Sequence, residues 1–161
     1  YKDFDTSTNS PEAIVVGDIG ETWDYPLLNG LMNQLLDGAK LVALHKGRYF
    51  QTKKGLTLDS GAFVAALEHA SETKAFVVGK PESAFFELAT QGLGGQPHQI
   101  AMVGDDLIND IGGAQKMKYQ TFLVKTGKFR SILYKKSKIR PNHLIENIGN
   151  LKEYILSKGL L

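Results

Sequence analysis

Three times along this chain a short apolar run ends in glycine and a charged residue: Val15-Val16-Gly17-Asp18, Val77-Val78-Gly79-Lys80 and Met102-Val103-Gly104-Asp105. Apolar runs of strand length that alternate with segments of helical period read as βαβ units around a mostly parallel sheet covered by helices. The intervals between the three runs are unequal, so their likeness reflects a shared strand-end turn and not a repeat array. Open α/β sheets bind their ligands at the carboxyl ends of strands, and two of these ends carry acids and one a lysine.

The expected strands are Ala13 to Val16, Leu41 to Leu44, Ala75 to Val78, Ile100 to Val103 and Thr121 to Val124. Between them, Tyr25 to Leu36 places Leu27, Leu28, Leu31, Leu35 and Leu36 on one helical face, and Asp37-Gly38 closes it. Asp59 or Ser60 caps a helix running through Ala70. Pro81 suits the first turn of a helix that Ser83 to Gln91 continue. Further helices are expected over Asp110 to Met117 and Ile145 to Ser157, with Leu151, Ile155 and Leu156 inward. Residues Phe50 to Leu58 read as a basic connector, and a long polar stretch follows Val124.

The run from Ala101 to Ala114 is the densest in chemistry. Asp105, Asp106 and Asp110 fall within six positions at a strand end, where they repel one another unless a cation or a lysine sits among them. Lys80, at another strand end, is the matching lysine. Gly79-Lys80 is not a P-loop, because that motif needs a glycine five residues before Gly79 and Lys74 stands there. A divalent metal acting on a phosphate is the leading inference. Asp106 could be a second metal ligand, but adjacent residues point apart, which favours an outer-shell or helix-capping role, with Asn109 also in the outer shell.

Val77-Val78-Gly79-Lys80-Pro81-Glu82, followed by Met102-Val103-Gly104-Asp105-Asp106 and Asp110-Ile111-Gly112-Gly113-Ala114, resembles the haloacid dehalogenase-like (HAD) phosphatase superfamily. The branch it looks most like has a large α/β cap and holds 4-nitrophenylphosphatase-like enzymes. Leu44 to Phe50, Gly55 to Leu58 and Val124 to Arg130 narrow the likeness within that branch, which runs from about Phe4 to the C-terminus. The resemblance implies a Rossmann-like core with helices on both faces, which is incomplete here, and the second half of an α/β cap. It places the cap fragment at residues 1–52 and the core at residues 53–161. It implies Mg²⁺ as cofactor, Asp105 as the metal-binding acid, Asp110 as the second acid of the same motif, and Lys80 as the lysine that steadies nucleophile and phosphoryl group. His45 and Lys46 follow a strand of the cap, and with Lys80 are the candidate substrate-binding residues. Basic residues there suit an anionic substrate; an ordinary solvated loop is the competing reading.

One part of the family pattern has no convincing match. These enzymes attack phosphate with the first Asp of a DxDGT-like motif that follows an apolar strand. Asp3-Phe4-Asp5-Thr6-Ser7 imitates the spacing, but only Tyr1 and Lys2 precede it, so no strand delivers Asp3. The chain is therefore expected to be N-terminally truncated, a phosphatase by descent and not competent by itself. A non-catalytic HAD-fold binding protein is the alternative. A phosphoacceptor receiver domain also gathers acids, Mg²⁺ and a lysine, but its lysine follows its acceptor, whereas Lys80 precedes Asp105.

Net charge is +2, which gives no general argument for nucleic acid, and the chain has no cysteine, hence no disulfide framework or thiolate site. His69, His98 and His143 lack metal-ligand spacing. Lys125 to Arg140 carries seven Lys/Arg with Phe129 and Tyr134 among them, and reads as a solvated loop before a polyanion site. No apolar run approaches a membrane span. The expected setting is cytoplasmic, the expected partner a small phosphorylated substrate, and homo-oligomer formation is allowed, helped by sheet edge and apolar surface that truncation would expose.

Overall fold

The computed structural model describes residues 9–160, so the Asp3 to Ser7 imitation of the nucleophile motif lies outside the described residues. The chain divides into two compact units, one ending at Gly79 and the other beginning at Lys80. Both are α/β, with parallel sheets and helices.

In the first unit, β1 (Ala13–Val16), β2 (Lys40–Ala43) and β5 (Phe76–Val77) form a parallel sheet in the order β1-β2-β5. The two-residue period of a strand sends Ile14, Val16, Leu41 and Ala43 to one buried face. Helix α1 (Tyr25–Leu36) and helix α2 (Ser60–Ser71) close that face with Leu35, Val64 and Leu67. Each helix starts where a carboxylate can satisfy an orphan N–H: Asp24 Oδ1 accepts from Leu27 N at 2.8 Å, and Asp59 Oδ1 from Ser60 N at 2.8 Å. Trp23 stacks on Phe63 at 4.4 Å between centroids.

The opposite face of the sheet is open. Val15 pairs in register with Val42, and Val42 with Phe76, so the three form an apolar row, with Val15 55% and Phe76 67% exposed.

The expected connector over 50–58 is instead an antiparallel hairpin, β3 (Tyr49–Thr52) with β4 (Gly55–Leu58). Thr52 pairs with Gly55 across a Lys53-Lys54 turn. Thr52 Oγ1 accepts from Lys54 N at 3.2 Å and donates to Gly55 O at 2.9 Å, which builds the turn from a side chain that composition does not flag.

In the second unit, β6 (Ala101–Gly104), β7 (Gln120–Val124) and β8 (His143–Ile145) form a parallel sheet in that order. Helix α3 (Ser83–Thr90) begins at Ser83, two residues after the cis Lys80-Pro81 bond, and not at Pro81. Its Phe86 packs with Ala114 and Tyr119. The expected helix over 110–117 is wider at its start: a π-helical turn, Leu107–Gly112, leads into α4 (Gly113–Lys116).

The polar stretch after Val124 is likewise not one loop, since it holds α5 (Ser131–Lys136) and β8. Strand β8 is fixed by a side-chain ladder. Asn142 Oδ1 accepts from Thr121 N at 3.0 Å and Thr121 Oγ1 at 2.8 Å, while Asn142 N donates back to Thr121 Oγ1 at 3.0 Å. His143 stacks on Phe122 at 4.4 Å, and burial first, then the Lys158 charge, holds its pKa below the ordinary histidine value. The last helix, α6 (Leu151–Lys158), therefore starts later than Ile145, which belongs to β8.

Candidate active site

Strand β6 delivers Asp105 and Asp106, and the π-helical turn that follows delivers Asn109 and Asp110. The turn is wide because Asp106 O accepts from both Asp110 N at 3.0 Å and Ile111 N at 3.2 Å. Its mouth is closed by Asp106, whose Oδ1 accepts from Ile108 N at 3.0 Å and Asn109 N at 2.9 Å, and whose Oδ2 accepts from Asn109 Nδ2 at 2.9 Å. Asp106 and Asn109 thus form a local cap.

Asp110 turns inward. Its side chain is 7% exposed, Oδ1 accepts from Lys80 Nζ at 2.7 Å, and Oδ2 accepts from Asp106 N at 3.2 Å. The ammonium of Lys80 stays reachable, with its side chain 37% exposed. Asp105 takes a third course: its Oδ2 accepts from the backbone N–H of Lys128 at 2.8 Å. Lys128 Nζ lies 3.7 Å from Asp106 Oδ2. Three neighbouring carboxylates are thereby given three tasks. Asp110 pairs with Lys80, Asp106 serves its own turn with Lys128 nearby, and Asp105 alone has no ammonium partner among the described residues.

Sequence reasoning thus named five residues that the structure brings into one cluster in the second unit: Lys80, Asp105, Asp106, Asn109 and Asp110. It missed Lys128. The available signal was Val124-Lys125-Thr126-Gly127-Lys128, where a glycine and a charge come three and four residues after an apolar strand.

His45 and Lys46 lie in the first unit. Lys46 Nζ pairs with Glu68 Oε2 at 2.6 Å, and Glu68 Oε1 accepts from Ala75 N at 2.9 Å. The His45 ring is 3.7 Å from Asp59 Oδ1 and 3.4 Å from the hydroxyl of buried Ser60. Burial alone would raise the pKa of Glu68; the Lys46 and Ala75 N–H bonds and the Lys46 and Lys74 charges outweigh it, so the net value lies below the ordinary 4.5. A depressed carboxylate contributes stability above its unfolded pKa and loses it as pH falls through the folded value. The unfolding temperature should therefore fall as pH drops through and below the ordinary value of 4.5, and Glu68→Gln should flatten that slope. Differential scanning calorimetry across the range checks this; an equal slope in the variant rejects it.

No group of three or more metal-ligating side chains is gathered among the described residues, and no helix there is long and apolar enough to cross a membrane. What the second unit offers is one carboxylate at a strand end, followed by a turn whose buried acid holds a lysine.

The sequence profile of the HAD-hydrolase-like family matches residues 77–151. The chain belongs to the haloacid dehalogenase-like hydrolases. It is 45% identical over 149 residues to haloacid dehalogenase-like hydrolase domain-containing protein 2 of Bos taurus, a match covering 92% of this chain and 58% of that protein. Phospholysine phosphohistidine inorganic pyrophosphate phosphatase of Homo sapiens is 37% identical over 151 residues, covering 92% and 56%. Among solved structures, a double mutant of the thermostable NPPase of Geobacillus stearothermophilus has a similar fold, with a TM-score of 0.72 at 30% identity over 84% of this chain and 53% of that one. The glycerol phosphate phosphatase of Mycobacterium tuberculosis, in complex with magnesium, gives 0.71 at 27% identity over 84% and 41%. The chain thus spans between 41% and 58% of the length of these relatives.

Proposed function

We propose that this chain supplies the lysine and the metal-binding acid of a Mg²⁺-dependent phosphatase acting on a small phosphorylated substrate. The observation that carries the reading is the sorting of the three acids, which leaves Asp105 for a cation beside Lys80. The donor set fits magnesium, which binds through one or two carboxylates and completes its octahedron with water and phosphate oxygens. Among the described residues no all-protein cage of the kind calcium takes is gathered. A bound Mg²⁺ supplies positive charge to the phosphoryl oxygens. Lys80 has three N–H donors and gives one to Asp110, so two remain for phosphoryl oxygens. Asp110 holds the Lys80 ammonium in place. Positioning and charge neutralisation of this kind are most of what phosphoryl transfer asks of a protein. The route would pass through an aspartyl-phosphate, with the attacking carboxylate outside the described residues.

We further assign residues 1–52 to part of a cap and residues 53–161 to the core. His45 remains the cap-side candidate for an anionic substrate, while the Lys46–Glu68 pair favours a structural role for Lys46. Nucleic acid is not the expected partner. Lys125 pairs with Glu146 at 2.5 Å, and Arg140 Nη1 donates to the carbonyls of Tyr134, Ser137 and Ile139, which engages charges of the basic run internally. A cytoplasmic setting suits a chain without cysteine. Self-association is expected through the Val15-Val42-Phe76 row. Sedimentation velocity should show a concentration-dependent shift that Phe76→Lys removes, and a monomer at every concentration rejects it.

The function is tested on the intact protein isolated from its source, by phosphate release from 4-nitrophenyl phosphate and phosphoamino acids. Release should require Mg²⁺ and stop with EDTA. Saturable binding of inorganic phosphate without release would favour the non-catalytic binding protein, and neither activity would overturn both readings.

A further inference from the structure

Two segments far apart in sequence meet at Asp105. The chain leaves β7 with Lys125 N still donating to Ile145 O at 3.0 Å, then turns, closed by Phe129 N to Thr126 O at 2.9 Å. Arg130 Nη1 braces the turn from outside, donating to Gly127 O and Phe129 O, each at 2.8 Å. At its apex Gly127 has φ of +51°, and a Cβ there would overlap the Asp105 carboxylate, whose Cγ would lie only 2.9 Å away. The next residue, Lys128, donates its backbone N–H to Asp105 Oδ2 at 2.8 Å. A left-handed glycine at the point of closest approach is what allows a main-chain donor to reach a carboxylate directly.

We propose that the 126–128 turn is a positioning element for the metal-binding acid: Gly127 makes room for the Asp105 carboxylate, and the Lys128 N–H holds Oδ2, which leaves Oδ1 to meet a cation. The inference rests on the assignment of Asp105 to Mg²⁺. A carboxylate on a strand end can rotate about its terminal torsion, and a donor held in a closed turn restricts that freedom. The lone pair on Oδ2 that would favour a bidentate grip is already used, so the carboxylate is set up for the single-oxygen contact magnesium prefers. Partners that orient metal-binding groups in this way contribute about 10- to 100-fold to metal affinity. The ammonium of Lys128, 3.7 Å from Asp106 Oδ2, stands near the neighbouring acid.

The test is amide NMR of the 161-residue chain titrated with Mg²⁺, then with Mn²⁺ as a paramagnetic probe. In the wild type the Asp105 and Lys128 amides should shift with one midpoint, and Mn²⁺ should broaden both. Gly127→Ala adds the obstructing Cβ and Lys128→Pro removes the donor. Each should weaken the midpoint by about tenfold or more while the rest of the spectrum keeps its wild-type dispersion. Asp105→Asn should not respond. A wild-type midpoint in either turn variant, with Asp105→Asn silent, overturns the positioning role and leaves the metal assignment standing. A retained response in Asp105→Asn, or none in the wild type, overturns the metal assignment itself. If a turn variant fails to fold, the wild-type titration decides, because a Lys128 amide that stays still as the Asp105 amide saturates rejects the inference.

Discussion

Replacing Lys80 with methionine is expected to remove stability and, on the proposed phosphatase reading, the turnover of the intact protein, by separable routes. Asp110 is 7% exposed and holds two partners, Lys80 Nζ at 2.7 Å and Asp106 N at 3.2 Å. Methionine keeps the length of the stem and loses the charge, so the buried carboxylate is left with one neutral donor. Breaking a buried pair from one side costs about 3–5 kcal/mol, and the 37% exposure of Lys80 brings this down to roughly 2–3 kcal/mol through solvent screening. On the proposed reading, the second loss, in the intact protein, falls on phosphate binding. Removing one fixed donor aimed at developing charge lowers kcat by about 10²–10³. The double variant Lys80→Met/Asp110→Asn separates the two, since the neutral amide no longer needs a counter-charge. It should recover most of the melting temperature and none of the turnover. Wild-type melting and wild-type kcat in Lys80→Met would remove Lys80 from the site.

The residues that carry the candidate chemistry could be read from the sequence because their reasons are local. Asp105, Asp106, Asn109 and Asp110 occupy one strand end and the turn after it, and an Asp before a turn caps it whatever lies beyond. The bounds of α1 followed from a leucine stripe and an Asp-Gly stop in the same way. The hairpin over 49–58 could not be read so, because Lys53-Lys54 is no standard hairpin turn and its geometry comes from the Thr52 hydroxyl. Strand β8 has three residues, too few for a period, and it exists because Asn142 pairs with Thr121 across 21 positions. The same distance effect hid Lys128, whose backbone reaches Asp105 from 23 residues away, and the Glu68 partner of Lys46 from 22. Local pattern states which groups are present; loop closure decides what each of them meets.

Gly104 shows how much of that arrangement depends on one missing methyl group. A Cβ on Gly104 would lie 2.6 Å from both Cβ and Cγ of Asp110 and would overlap its Oδ2. Neither side can easily give way. Gly104 pairs with Leu123, which is fully buried in the middle strand of the sheet, so β6 cannot retreat without breaking the ladder. Asp110 is held by Lys80 and by Asp106 N, so it can move only by releasing both. Overpacking of this kind costs about 1–3 kcal/mol, and loss of the ion pair adds to it. Gly104→Ala should therefore lower stability by about 3 kcal/mol, or roughly 9 °C at about 3 °C per kcal/mol. Gly30→Ala is the control. Gly30 lies inside α1 with nothing within 4 Å of an added Cβ, so alanine there should raise stability by up to about 1 kcal/mol. If both variants melt within a degree or so of the wild type, β6 and the π-helical turn are not packed as described, and the Lys80–Asp110 pair loses its structural basis.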